Sequence, residues 1–250
     1  IGVRFYTYEA TLLNVMEEAA KAKIPVIVLD RPNPINGATV EGAVADADKL
    51  SFVVSHTVPV RHGLTIGELG QMMNADKKIG ADLRVVKMQN WSRSMWFDET
   101  GQTWVNPSPN MRSLTQATLY PGIGLVETTN LSVGRGTDTP FEIIGAPWLD
   151  GQKLAKYLNE KNMPGVRFVP NRFITNRNIY KSVQTGMEIA LGLRKIFPND
   201  WKPDNYNRLL GNAEIFELVR RAETVQVIET TQKKKIDEFI ANRARFLLYK

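Results

Sequence analysis

Two spacings of apolar positions organise the first third of this chain. From Tyr8 to Ala22, Leu12, Leu13, Val15, Met16 and Ala19 are apolar while Glu17, Glu18 and Lys21 are polar, which predicts an amphipathic helix. The run IPVIVLD, ending at Asp30, is continuously apolar and predicts a strand buried on both faces, as in a parallel sheet. A helix followed by such a strand is half of a βαβ repeat, and open α/β sheets bind ligands at the carboxyl ends of their strands. Asp30, Arg31, Asn33 and Asn36 therefore sit at the favoured edge. Pro32 and Pro34 exclude a helix from the DRPNPINGATVEG segment that follows.

Further along, Phe52 to Val60 reads as extended. Leu64 to Met73 reads as a helix, because Thr65 and Glu68 have the spacing of a capping box. Ala81 to Met88 predicts another strand after Gly80. Asn90 to Asn110 is a long irregular stretch carrying Trp91, Trp96, Phe97 and Trp104, and long irregular segments are often functional. Leu114 to Leu119 predicts a short helix, Gly151 to Asn159 a helix, Gly165 to Pro170 a strand, and Ser182 to Phe197 an amphipathic helix stopped by Pro198. Ile236 to Tyr249 again has helical spacing. The fold class expected is α/β: a Rossmann-like, mostly parallel sheet with helices on both faces, plus a smaller C-terminal α+β domain. The boundary is placed at 148/149, giving domains 1–148 and 149–250.

Composition narrows the function. Cysteine is absent, so disulfides, thiolate metal sites and thiol nucleophiles are excluded, and two histidines are too few for a multi-histidine metal centre. The 32 Lys and Arg exceed the 26 Asp and Glu, but the basic residues are scattered and Lys233-Lys234-Lys235 is the only dense run, so no nucleic-acid partner is expected. No stretch has the apolar length of a membrane span or the pattern of a signal peptide. No Walker-type loop or GxSxG elbow is present, and Gly122-Ile123-Gly124 lacks the third glycine of a dinucleotide fingerprint, so no cofactor is expected.

Tyr120 to Trp148, YPGIGLVETTNLSVGRGTDTPFEIIGAPW, has the composition of a binding site. Its glycines permit close backbone approach, and its hydroxyls, its amide and Arg135 offer directional hydrogen bonds. A Gly/Thr turn region between strands is the structural alternative. Asp30, Glu41, Asp98 and Glu127 all lie in polar segments bounded by Pro or Gly. Carboxylates facing an aromatic-lined cleft suit glycoside hydrolysis, in which one group protonates the leaving oxygen and another attacks, stabilises or activates water. Arg61 and His62 precede a helix N-terminus, a setting suited to anionic groups, and a structural hydrogen-bonding role is the alternative for His62.

RFYTY (4–8), LDRPNP (29–34), VEG (40–42), PVRHGLTIGELG (59–70), WSRSMWFDETGQTWVNPSPNM (91–111), the 120–148 stretch and the closing FIANRARFLLYK resemble, in order, the NamZ-type exo-β-N-acetylmuramidases. The resemblance implies a glycosidase that releases N-acetylmuramic acid from the non-reducing ends of peptidoglycan fragments in cell-wall turnover and recycling. It also implies an extracytoplasmic location and a cleft between a Rossmann-like and a smaller domain. A non-catalytic peptidoglycan-fragment or sugar-binding module is the other reading. The catalytic candidates are Glu127 first, then Asp30 and Glu41. Arg135, Arg61 and His62 are candidate partners for the lactyl carboxylate, and Asn130 and Thr129 for the amide or hydroxyls. Arg4, Tyr6 and Asn110 complete the substrate-facing set.

Two departures from the family pattern stand out. The family's Gly-Pro-Glu-His-Gly segment, whose Glu is its leading candidate for the catalytic acid, does not occur in this sequence. Gly165 to Pro170 also runs almost directly into Phe173-Ile174-Thr175-Asn176-Arg177, where the family has a longer stretch. Both departures lead to the expectation of a truncated chain, with weak or no hydrolysis from these 250 residues alone.

Overall fold

A computed structural model describes residues 1–170, 172–175 and 181–250. In chain order its elements are α1 (Tyr8–Ala22), β1 (Val26–Leu29), β2 (Glu41–Val44), β3 (Pro59–Arg61), α2 (Ile66–Asp76) and β4 (Leu83–Val86). There follow α3 (Leu114–Val126), α4 (Gly151–Asn159), β5 (Val166–Val169), β6 (Arg172–Thr175), α5 (Ser182–Ile196), α6 (Asn207–Leu210), α7 (Ala213–Arg220) and α8 (Val225–Arg243). The protein is a mixed α/β fold in two compact units. The first comprises residues 1–40, 44–103 and 234–250, and the second residues 41–43 and 104–233. The last residues of the chain rejoin the first unit, and the 148/149 boundary expected from sequence lies within the second. Of the FITNR segment, Asn176 and Arg177 lie outside the described residues.

In the first unit β1 and β4 pair in parallel, Val26 opposite Leu83 and Leu29 opposite Val86. Side chains alternate across a strand, so partners share a face. The face bearing Val26, Val28, Leu83 and Val85 lies under α2. There Gly67 permits close approach: a Cβ on it would sit 2.6 Å from Cγ1 of Val85 and 2.9 Å from Cγ of Asp30. The opposite face is open, with Ile27 60%, Leu29 71% and Val86 52% exposed. The apolar run at 24–30 therefore does not mark a strand buried on both faces. α2 covers one side only, and periodicity cannot report which neighbours a strand finds. The core of this unit forms where Leu13 and Met16 of α1 meet Leu69, Met72 and Met73 of α2, with Val58, Leu64 and Phe239 closing it.

Local chemistry sets the helix ends. α2 begins with the predicted capping box: the Glu68 amide donates to Oγ1 of Thr65 at 3.2 Å, and the Thr65 amide donates to Oε2 of Glu68 at 2.9 Å. α1 ends at Lys23 in the left-handed region. α8 ends at Arg243, short of the helical spacing read to Tyr249. After one 3₁₀ turn at Ala244–Phe246 the tail is extended, because its backbone and Tyr249 bond to residues of the first unit instead of to a further helical turn.

The second unit is built on the crossing of α3 and α5. α3 runs to Val126, beyond the Leu119 limit expected, and carries Pro121 inside it. Gly122 and Gly186 let the two backbones touch: a Cβ on Gly122 would lie 2.0 Å from the Ser182 carbonyl oxygen, and one on Gly186 2.3 Å from that of Gly122. These glycines serve helix packing, not ligand approach. α4 packs on α5, and β5 pairs antiparallel with β6. Asn159 ties α4 to β5 by accepting from the Phe168 amide at 2.9 Å and donating to its carbonyl at 2.8 Å. Among the described residues no helix is long and apolar enough to cross a membrane, and no group of three or more His, Asp or Glu could hold a metal ion.

Candidate functional site

In the first unit, the turn from β3 into α2, Arg61-His62-Gly63-Leu64-Thr65, and the Pro-rich loop at 31–39 carry a buried polar network. Asp30 leaves the end of β1 and sits 9% exposed at the N-terminus of α2, where the helix dipole favours an anion. Its Oδ1 accepts from the Gly67 amide at 2.9 Å, and its Oδ2 accepts from Oγ1 of Thr65 at 2.7 Å and from the Tyr249 hydroxyl at 2.6 Å. Both oxygens are thus engaged, and Asp30 works as a cap and anchor. Burial, followed by the bond to Asp30, raises the Tyr249 phenol well above its ordinary pKa.

Arg93, from the aromatic stretch, binds the same region together. Its Nη1 donates to Oε1 of the fully buried Glu68 at 2.6 Å, while Nη2 donates to the Gly37 carbonyl at 2.7 Å and to that of Gly63. Its backbone carbonyl accepts from the Gly37 amide at 2.7 Å. From the end of α8, Nη1 of Arg243 reaches the carbonyls of Gly37 at 3.3 Å, His62 at 3.3 Å and Gly63 at 3.2 Å. Burial, with the like charge of Arg93 adding to it and Glu68 opposing, lowers the Arg243 pKa to about 10. Neither arginine is marked by local sequence pattern. Both lie in segments whose burial depends on partners remote in the chain.

Arg4, Arg61 and His62, read from sequence as substrate-facing, are all buried. Arg4 pairs its amide with the Val60 carbonyl at 2.9 Å, and its Nη1 donates to the Val58 carbonyl at 2.6 Å. Burial lowers its pKa to about 10 against the pull of Glu9 and Asp46. Arg61 donates to the Ile35 carbonyl and lies 5.7 Å from the ring centroid of Trp96. His62 accepts at Nδ1 from the Leu64 amide at 3.1 Å, which puts the ring proton on Nε2, 3.5 Å from Oε2 of Glu9. Glu9 in turn accepts from Oγ of Ser55 at 3.0 Å. Both nitrogens of His62 thus face protein groups. Tyr6 is half-buried, its ring 5.6 Å from that of Tyr8. Asn33 and Asn36 hold the Pro-rich loop: Asn33 donates to the Leu64 carbonyl at 3.0 Å, and Oδ1 of Asn36 accepts from the amides of Ala38 at 3.1 Å and Thr39 at 2.9 Å. Trp91 and Trp96 are core residues, not sugar platforms, and Trp91 packs edge-on to Tyr249 at 5.0 Å.

In the second unit the accessible chemistry lies after α3. Glu127 caps that helix and is gripped in a forked pair by Arg135, whose Nε donates to Oε1 and whose Nη2 donates to Oε2 at 2.9 Å. The Glu127 side chain is 24% and that of Arg135 45% exposed, so the pair is open to a ligand. The guanidinium also lies 5.1 Å from the ring centroid of Phe141. Beside it, Oδ1 of Asn110 accepts from the Gly136 amide at 3.0 Å. The loop is closed by the Ser132 and Gly145 backbone bonds of 2.8 and 3.0 Å. Thr129 and Asn130 turn away to hold the 200–202 segment: Thr129 accepts from Nε1 of Trp201 at 3.2 Å, and Asn130 bonds the Asp200 carbonyl and the Lys202 amide, each at 2.8 Å. Glu41, the first residue of β2, is half-buried.

The architecture so described is that of a two-domain α/β protein with a parallel strand pair, its polar chemistry at the strand ends and in the loop after α3. Residues 1–115 match the N-terminal domain, and residues 118–175 and 171–249 the C-terminal domain, of the exo-beta-N-acetylmuramidase NamZ family. The chain belongs to this family. It is 37% identical over 270 aligned residues to the peptidoglycan beta-N-acetylmuramidase NamZ of Bacillus subtilis strain 168, a match that takes in all of this chain and 65% of that protein. The chain thus spans just under two thirds of that relative's length. Two crystal structures of DUF1343 family proteins from Bacteroides fragilis share the fold, with TM-scores of 0.91 at 29% identity and 0.77 at 24% identity. Each covers the whole of this chain, which accounts for 73% of either protein.

Proposed function

We propose that this chain is part of a glycosidase that releases N-acetylmuramic acid from the non-reducing ends of peptidoglycan fragments, serving cell-wall turnover outside the cytoplasm. The observation that carries this reading is the collinear match of both NamZ domains along the chain, together with its 37% identity to the Bacillus subtilis enzyme. Within these residues Glu127 is the carboxylate that serves the reaction as an anion. Both of its oxygens accept from the Arg135 fork, a geometry that suits a group that stabilises or attacks an electron-poor anomeric carbon. Arg135, exposed at one edge, offers charge-assisted hydrogen bonds to the lactyl carboxylate of the sugar, with Asn110 beside it. Glu41, half-buried at the start of β2, is a further candidate carboxylate. Asp30, with both oxygens engaged, acts by holding the β1 end and α2 in place.

Hydrolysis of a chromogenic N-acetylmuramic acid glycoside by the protein expressed from its natural gene tests the reading. Release of the chromophore by the wild type, reduced about 100-fold or more by Glu127→Gln, is expected. Binding of N-acetylmuramic acid without turnover would favour a sugar-binding module instead. Turnover unchanged by Glu127→Gln would remove that residue from the mechanism.

A further inference from the structure

We propose that Arg243 is a positioning residue for the turn from β3 into α2, its guanidinium acting as a built-in cation that clamps the Arg61–Thr65 turn to the Pro-rich loop. Any bearing on turnover rests on the function proposed above and runs through Glu41, which follows the clamped loop; the clamp itself rests on geometry. Three backbone carbonyls, those of Gly37, His62 and Gly63, converge on one nitrogen of Arg243 within 3.2 to 3.3 Å. Gly37 and Gly63 belong to segments separated in sequence, which Asn33 and Arg61 also tie together through the Leu64 and Ile35 carbonyls. Their carbonyls point at a common centre, an arrangement that repels itself unless a cation fills it. Arg93 supplies one such cation, to Gly37 and Gly63. Arg243 supplies the second and alone reaches the carbonyl of His62.

Close packing adds to the argument. A Cβ on Gly63, which has φ of +62°, would lie 2.4 Å from Nη1 of Arg243 and 2.7 Å from the Thr39 carbonyl oxygen. The turn thus has the glycine required both by its left-handed backbone and by the approach of the guanidinium. Two like-charged guanidiniums share these carbonyls, and the carboxylate of Glu68, bound to Arg93, offsets them. Such a site is costly as mere packing, since an apolar side chain would fill the volume without the charge. What the charge does is fix the direction of the His62 and Gly63 carbonyls, and with them the backbone that carries Arg61 and His62. The loop it clamps leads directly into Glu41.

The test uses Arg243→Ala and, in case that variant folds poorly, Arg243→Gln, which keeps an N–H donor without charge. Amide hydrogen exchange is followed at Ala38, Thr39 and Leu64, whose N–H groups bond within the clamped loop and turn. Exchange at these amides is expected to quicken about tenfold or more while amides in α3 and α5 are unchanged, because the opening is local. Millimolar guanidinium chloride, too dilute to denature, is expected to restore slow exchange in Arg243→Ala by occupying the vacated carbonyl centre. On the chromogenic glycoside, the same variant should lose kcat more than it raises KM and should recover with guanidinium. Unchanged exchange at the three amides, a uniform increase across the protein, or no rescue by guanidinium would overturn the proposal. A wild type that does not turn over the glycoside would sink the functional reading alone, since the exchange result judges the clamp separately.

Discussion

The hydroxyl of Tyr249 donates a 2.6 Å hydrogen bond to Oδ2 of Asp30, so a residue of the extended tail is fastened to the end of the first parallel strand. The same oxygen of Tyr249 accepts from the Met88 amide at 3.1 Å, just beyond β4, so one phenol closes the carboxyl end of both strands. In an open α/β sheet that end is the usual ligand edge. Here the chain's own tail occupies it.

Tyr249→Phe should therefore destabilise the first unit by about 1–3 kcal/mol, the usual cost of leaving buried groups short of a partner. Its alkaline behaviour is the sharper measurement. The raised phenol pKa means that the folded state holds its proton more tightly than the unfolded chain, whose value is ~10. The stabilisation is complete below about pH 10 and is lost as pH rises above it. Melting temperatures taken from pH 8 to 11 should fall more steeply for the wild type than for Tyr249→Phe. Tyr206, also raised by burial, acts in the same sense, and Arg4 and Arg243, both lowered, act in the opposite sense, but all three are common to the two proteins. Parallel curves would show that the phenol proton is not linked to folding.

At the crossing of α3 and α5, Gly122→Ala gains helix propensity of about 1 kcal/mol. It also drives a methyl group to 2.0 Å from the Ser182 carbonyl oxygen. Backbone cannot yield as a flexible side chain can, so a net loss of roughly 1–3 kcal/mol is expected from overpacking. Urea denaturation would register it as a lower midpoint, and a stabilised Gly122→Ala protein would mean that the helices can separate cheaply.

Removing Arg93 deprives the fully buried Glu68 of its direct ion-pair partner. Arg93→Met should cost about 3–5 kcal/mol. Arg93→Met combined with Glu68→Gln should cost clearly less than the two single losses added, because each single variant strands the partner that remains. A double-mutant cycle in denaturant measures the difference, and strict additivity would deny the pairing.

Glu127→Gln, by contrast, should hardly alter stability. The pair with Arg135 is partly exposed, and such pairs contribute about 0–1 kcal/mol. A large loss of glycoside turnover with an unchanged melting temperature is the expected signature of a group retained for chemistry. A comparable fall in both would make it a structural ion pair.

Much of the fold is legible in the sequence because helix signals are local. The amphipathic spacing of α1 and α5 and the Thr65–Glu68 cap are complete within a few residues, and the structure reproduces them. The open face of β1 is not legible, since an apolar run reads the same whether one or two layers cover it. Asp30 illustrates the limit at the site. A carboxylate at a strand end suggests a ligand, and what occupies it is a tyrosine 219 positions away. The glycines of the 120–148 stretch divide in the same way. Gly122 serves a helix contact that depends on Gly186, whereas Glu127 and Arg135, close in sequence, meet as their chemistry suggests. Arg93 and Arg243 had no local signal at all, because a buried arginine is recognised only by the carbonyls around it.

The return of residues 234–250 to the first unit sets a timetable for the nascent chain. When Asp30, Glu68 and Arg93 leave the ribosome, the groups that complete their hydrogen bonds, Tyr249, the Leu248 amide and the Lys250 carbonyl, have yet to be made. At about 5–20 residues per second, the unit waits several seconds or more with buried-type charges still open to water. The first unit is completed after the second, and a ribosome that stalls between Lys233 and Arg243 would release a chain that has the residues of the second unit and lacks part of the first.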